Sequence, residues 1–160
     1  MDFKTILVPL DGSSLAESAL PRAMTFAKDG ARLILVRAAE AHTLPTADAA
    51  EAQVKVVRDA DDYLATVKTR LAKAGARDVE TSVWYGPPAE VIVEAARFRK
   101  ADLIVMSSHG RSGLGRLVLG SVAETVLRAT QTPILLIRDS EAPLDLLTGT
   151  ARPAREATRV

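Results

Sequence analysis

The stretch ADLIVMSSHGRSGLGRLVLGSVAETVL, residues 101–127, runs from an apolar strand through a glycine-rich turn into a helix, and that order decides the fold. Leu103 to Ser107 is apolar on consecutive positions instead of alternating ones, the pattern of a strand covered by helices on both faces of a parallel sheet. The turn from Gly110 to Ser121 holds four of the nine glycines. A helix begins near Gly120 and ends before Pro133.

Four further runs read as strands: Phe3 to Pro9, Arg32 to Ala38, Val79 to Tyr85 and Ile134 to Arg138. Val79 to Tyr85 mixes polar and apolar residues and belongs at a sheet edge. Helical spacing fills the gaps. One helix opens at Ser14-x-x-Glu17, a capping-box pattern, and stops at Gly30, with a kink or a solvated carbonyl expected at Glu17 because Pro21 lacks an N–H. A longer one repeats Val54, Val57, Ala60, Leu64, Val67 and Leu71 and ends at Gly75. A third starts at Pro87-Pro88 and carries Val91, Ile92, Ala95 and Ala96 inward. Strand and helix alternate throughout, which predicts an α/β fold with an open parallel sheet, right-handed crossovers and helices on both faces. Ligands in such sheets sit beyond the carboxyl ends of the strands, where the strand order reverses.

Composition narrows the function. The chain has 160 residues, the size of one domain, with 21 Lys plus Arg against 20 Asp plus Glu and a net charge of +1. That balance supplies no bulk field for nucleic acid or an anionic membrane, so an anion must be held locally. The absence of cysteine removes disulfides and thiolate metal sites. The start MDFKTILVPL lacks the pattern of a secretory signal and the apolar runs are strand-sized, so a cytoplasmic location without membrane contact is expected. Residues 139–160 lose the periodicity and read as a mobile tail after a domain of residues 1–138.

The glycines of the turn let backbone N–H groups approach an anion, and the following helix N-terminus adds unpaired donors and partial positive charge. Ser121 can add a hydroxyl, and Arg111 or Arg116 a positive charge. The same residues equally suit a capping box, Ser121-x-x-Glu124, above a tight loop. Two other phosphate signatures fail. Gly110-x-x-x-x-Gly115 is followed by Arg116-Leu117 where a P-loop has Lys-Ser/Thr, and Gly113-x-Gly115 has Val118 in place of the third glycine of a dinucleotide fingerprint. With two histidines, His42 and His109, and no cysteine, a dedicated transition-metal site is not expected.

Gly110, nine residues, then Gly120-Ser121 resembles the nucleotide motif of the universal stress protein family, whose pattern is Gly-x2-Gly-x9-Gly-Ser/Thr. Ser107 stands where that pattern begins with glycine. ILVPLDGS, GPPAEVIVEAA and TPILLIR are similar to other family segments, so the resemblance covers Phe3 to Arg138. It implies a Rossmann-like, adenine nucleotide alpha hydrolase-like fold with strand order 3-2-1-4-5. It also implies ATP, or AMP or ADP, as ligand, with Mg2+ carried in on the phosphates. Pro9, Leu10 and Asp11 would line the adenosine, Ala38 would touch adenine, and Met106 and Ser107 would lie by the ribose. His109, Gly110, Arg111, Gly120, Ser121 and Val122 would surround the phosphates. A homodimer through the last strand, Ile134 to Arg138, is implied as well. The leading expectation is a nucleotide-binding stress-response or signalling module with no catalytic residues. The alternatives are a dimeric interaction protein without nucleotide, kept open by Ser107, and a slow ATP hydrolase.

Overall fold

The computed structural model describes residues 3–40, 49–108 and 119–138. The elements are β1 (Thr5–Pro9), α1 (Ser14–Glu17), α2 (Leu20–Lys28), β2 (Arg32–Ala39), α3 (Ala49–Lys73), β3 (Val79–Tyr85), α4 (Pro88–Phe98), β4 (Leu103–Ser107), α5 (Ser121–Ala129) and β5 (Ile134–Ile137). The five strands form one parallel sheet in the order β3-β2-β1-β4-β5. The order reverses between β1 and β4, and β3 lies at an edge as its mixed polarity indicated.

The consecutive apolar residues of the strands feed two cores because neighbouring side chains leave opposite faces. Ile6, Val8, Leu33, Leu35 and Val105 pack with Leu20, Ala23, Leu64, Val67 and Leu71 on the side of α2 and α3. Leu7, Ile34, Val36, Ile104 and Met106 pack with Val91, Ile92, Ala95 and Val126 on the side of α4 and α5. Asp102 ties the sheet at its lower end, accepting the Lys4 amide at 2.9 Å and the Thr5 amide at 3.2 Å.

Several local expectations are corrected. The first helix is two helices, α1 and α2, with Pro21 in the first turn of α2. Proline cannot donate to the Glu17 carbonyl, and the helix is interrupted at Ser18 and Ala19, both of which keep helical dihedrals. The cap of α1 is Ser13, whose Oγ accepts the Ala16 amide at 3.1 Å, so Ser14-x-x-Glu17 is not a capping box. Glu17 turns instead to α3, where it meets Tyr63 and Arg70. Val54 is 59% exposed, and the buried face of α3 begins only at Ala60. Gly75 ends α3 with φ +102, its amide reaching the Ala72 carbonyl and the Ala76 amide reaching that of Leu71. The tail after Arg138, His42 and most of the glycine-rich turn lie outside the described residues.

Candidate functional site

Three chain segments meet above the switch point. The first is the end of β1. Leu10 extends its ladder by donating to the Val36 carbonyl at 2.9 Å, and Gly12 then turns the chain with φ +86. That turn brings Ser13 back to Asp11: the Ser13 amide and Oγ both donate to Asp11 Oδ1, at 2.9 and 2.6 Å. Since Ser13 Oγ also accepts from Ala16, the carboxylate is oriented by the start of α1.

The second segment is the exit of β4. Ser107 is its last residue, in register with Ile137 of β5. Lys100 is the only non-glycine residue with positive φ among those described, so Ser107 has an ordinary strand backbone that tolerates a Cβ. The next residue, Ser108, is buried, and its amide donates to the Ile137 carbonyl at 2.8 Å. Its carbonyl accepts the Gly120 amide at 2.9 Å, which fixes the start of α5 against the end of β4.

The third segment is α5 itself. Gly120 is its cap residue, with extended φ and ψ and no side-chain cap bond, so Ser121-x-x-Glu124 is not a capping box. The Glu124 amide reaches the Gly120 carbonyl at 2.9 Å. The amides of Ser121, Val122 and Ala123 have no acceptor among the described residues. These are the orphan donors of a helix start, carrying the positive end of its dipole.

A cavity of about 390 Å3 opens between these segments, within the roughly 300–1,000 Å3 of small-molecule sites. Pro9, Leu10 and Asp11 line it from β1, Ala38 from β2, Met106 and Ser107 from β4, and Gly120, Ser121 and Val122 from α5. His109, Gly110 and Arg111 lie outside the described residues. The structure adds Val36 and Ile92 as apolar walls, Ser108 beside Ser107, Val56 from α3, and the charged Arg37 and Glu40 at the end of β2. Arg37 had a signal in the sequence, being a charge near the carboxyl end of a strand whose middle is apolar.

Arg37 stacks on Tyr63, its guanidinium carbon 4.8 Å from the ring centre. The Tyr63 hydroxyl donates to Glu17 Oε1 at 2.9 Å, and Arg70 Nη2 donates to Glu17 Oε2 at 2.6 Å. Burial, then the hydrogen bond to the Glu17 carboxylate, push the Tyr63 hydroxyl well above the usual phenol range, so it stays a donor. Among the described residues no cluster of three acidic or histidine side chains suits a metal ion. No described helix is long and apolar enough to cross a membrane.

Fold and site together define a doubly wound α/β protein with a ligand-sized cavity at its switch point. The chain belongs to the universal stress protein family, whose model matches residues 2–138. A putative universal stress protein of Staphylococcus aureus (strain USA300) is 33% identical over 147 residues, covering 89% of this chain and 89% of its own. Among solved structures, the hypothetical protein MJ0577 superposes with a TM-score of 0.78 at 29% identity, over 87% of this chain and 98% of that one. A universal stress protein crystallised in complex with cAMP superposes at 0.67 with 30% identity, over 86% of this chain and 98% of that one.

Proposed function

We propose that this chain holds an adenine nucleotide, ATP or a close relative, in the switch-point cavity and acts as a stress-response or signalling module. The observation that carries the reading is the uncapped start of α5 opening into a cavity whose opposite wall holds an oriented carboxylate, Asp11. Phosphate oxygens accept from the amides of Ser121, Val122 and Ala123 and from the Ser121 hydroxyl. The Gly120 amide is already bonded to Ser108, so Gly120 serves as a joint and not as a donor. Val36, Ala38, Ile92 and Met106 offer the apolar walls that a purine fills, and Asp11 accepts from a nucleoside hydroxyl or amine. His109, Gly110 and Arg111 belong to the proposal as further phosphate neighbours. The relative crystallised with cAMP supports an adenine nucleotide as the ligand class.

Mg2+ enters with the phosphates, which supply most of its oxygens, since the described chain offers at most hydroxyl and carboxylate singles. The half-buried edge strand β5 is the surface proposed for pairing two copies. Titration calorimetry with ATP, AMP, cAMP and adenosine tests the nucleotide reading. Saturable one-site binding is expected, and no heat or competition from any of the four contradicts it.

A further inference from the structure

Near its carboxyl end β2 carries an arginine, Arg37, that a packing strand does not need. Arg37 shares the face of Leu33 and Leu35, the side covered by α3, and reaches the cavity at its rim. Its guanidinium is held from two directions. Tyr63 of α3 lies beneath it at 4.8 Å, and Gly12 brings its backbone so close that a Cβ there would sit 3.4 Å from Nη1 and 3.5 Å from Nη2. Tyr63 is itself fixed through Glu17 to Arg70, so the ring cannot swing away without breaking bonds between α1 and α3.

Among the described residues no carboxylate pairs with Arg37. Stacking uses the face of a guanidinium and leaves its five N–H donors, which lie in the plane, for other partners. Its place in the sheet says which part of a ligand it meets. β2 and β4 flank β1 on opposite sides, so Arg37 and the amides of α5 stand at opposite ends of the cavity, with Asp11 between them. With phosphates on α5, the end of the cavity lined by Arg37 and Ala38 is left for the base.

We propose that Arg37 is a base-reading residue, its guanidinium held by Tyr63 so as to donate hydrogen bonds to ring acceptors of a purine. This rests on the nucleotide reading above and adds a selectivity to it. A purine offers a ring acceptor at N7 that no pyrimidine has at that place, and one N–H of the held guanidinium can donate to it. Arg37 therefore favours purine over pyrimidine nucleotides, and Tyr63 is its positioning residue.

The test measures affinities for ATP, CTP and adenosine in the whole protein and in Arg37→Ala, Arg37→Lys, Tyr63→Leu and Tyr63→Phe. Arg37→Ala is expected to weaken ATP and adenosine by the same factor, about tenfold, and to lower the ATP-to-CTP ratio similarly. Arg37→Lys, which keeps charge but loses the planar group that Tyr63 holds, follows Arg37→Ala. Tyr63→Leu lowers the same ratio, and Tyr63→Phe, which keeps the ring, changes it less than Tyr63→Leu does. Loss confined to ATP would make Arg37 a phosphate contact and overturn the proposal. An unchanged ATP-to-CTP ratio in Arg37→Ala and Tyr63→Leu would reduce both residues to packing and overturn it as well. A wild type that binds neither ATP nor adenosine overturns the nucleotide reading itself, which separates that failure from this one.

Discussion

Ser13 holds Asp11 twice, through its amide at 2.9 Å and its hydroxyl at 2.6 Å, both on the same carboxylate oxygen. One serine thus caps α1 and aims the carboxylate that faces the cavity. Ser13→Ala is expected to cost about 1 kcal/mol in urea unfolding, the usual loss of an N-cap. It should also weaken nucleotide binding, whereas Ser13→Thr, which retains the hydroxyl, should restore most of both. Calorimetry on the two variants separates the cap from the aim.

Lys100 ends α4 in the geometry that Gly75 gives α3. Its amide reaches the Arg97 carbonyl and the Ala101 amide that of Ala96, with φ +52 at a residue carrying a side chain. Left-handed backbone strains every residue with a Cβ. Lys100→Gly should stabilise the protein by roughly 0.5–1 kcal/mol, the relief of strain exceeding glycine's added freedom when unfolded. Gly75→Ala, at φ +102, should destabilise by about 1 kcal/mol. Chemical denaturation at constant m-value checks both signs.

Tyr63 predicts an alkaline effect. Its hydroxyl titrates higher folded than unfolded, because burial and Glu17 disfavour the phenolate. Folded protein therefore keeps a proton that unfolded protein releases above a pH of about 10, and stability falls as pH rises past that point. Tyr63→Phe should be less stable than wild type by about 1–2 kcal/mol near neutrality, through the lost bond to a carboxylate. The gap should be constant below the phenol's ordinary range and narrow above it. Paired melts from pH 7 to 11 read the difference directly.

Ala38 sets the width of the cavity beside β2. Ala38→Phe places a ring where the base is proposed to lie, and an overlap worth about 1–3 kcal/mol weakens ATP up to a hundredfold. The variant should still unfold cooperatively. Binding at wild-type strength would remove the base from that wall.

Much of this was legible because parallel strands buried on both faces leave an unbroken apolar run, and all five runs became strands within two residues of their expected ends. The helix details were less legible. Ser13 and Ser14 are both able to cap, and only the turn at Gly12 decides for Ser13. Pro21 marks the interruption ahead of it, but the contacts from Glu17 to Tyr63 and Arg70 reach a distant helix that no local pattern contains. Val54 continues the spacing of α3 faithfully, yet it is exposed, since spacing does not say where along a helix burial begins. At the site, topology pointed to the strand ends, and the family resemblance named Asp11, Ala38 and Ser107 among them. Val56 and Ile92 arrive from helices, and their nearness to the cavity depends on how α3 and α4 lie across the sheet.

The central claim is that phosphates lie on the open start of α5 while the base lies toward β2. It is tested most directly by following backbone amide resonances of labelled protein during titration with ATP. The amides of Ser121, Val122 and Ala123 should move saturably, together with Ala38 and Met106, and with one shared affinity. If ATP leaves those three amides in place, or moves only residues away from the cavity, the site is not where this account puts it.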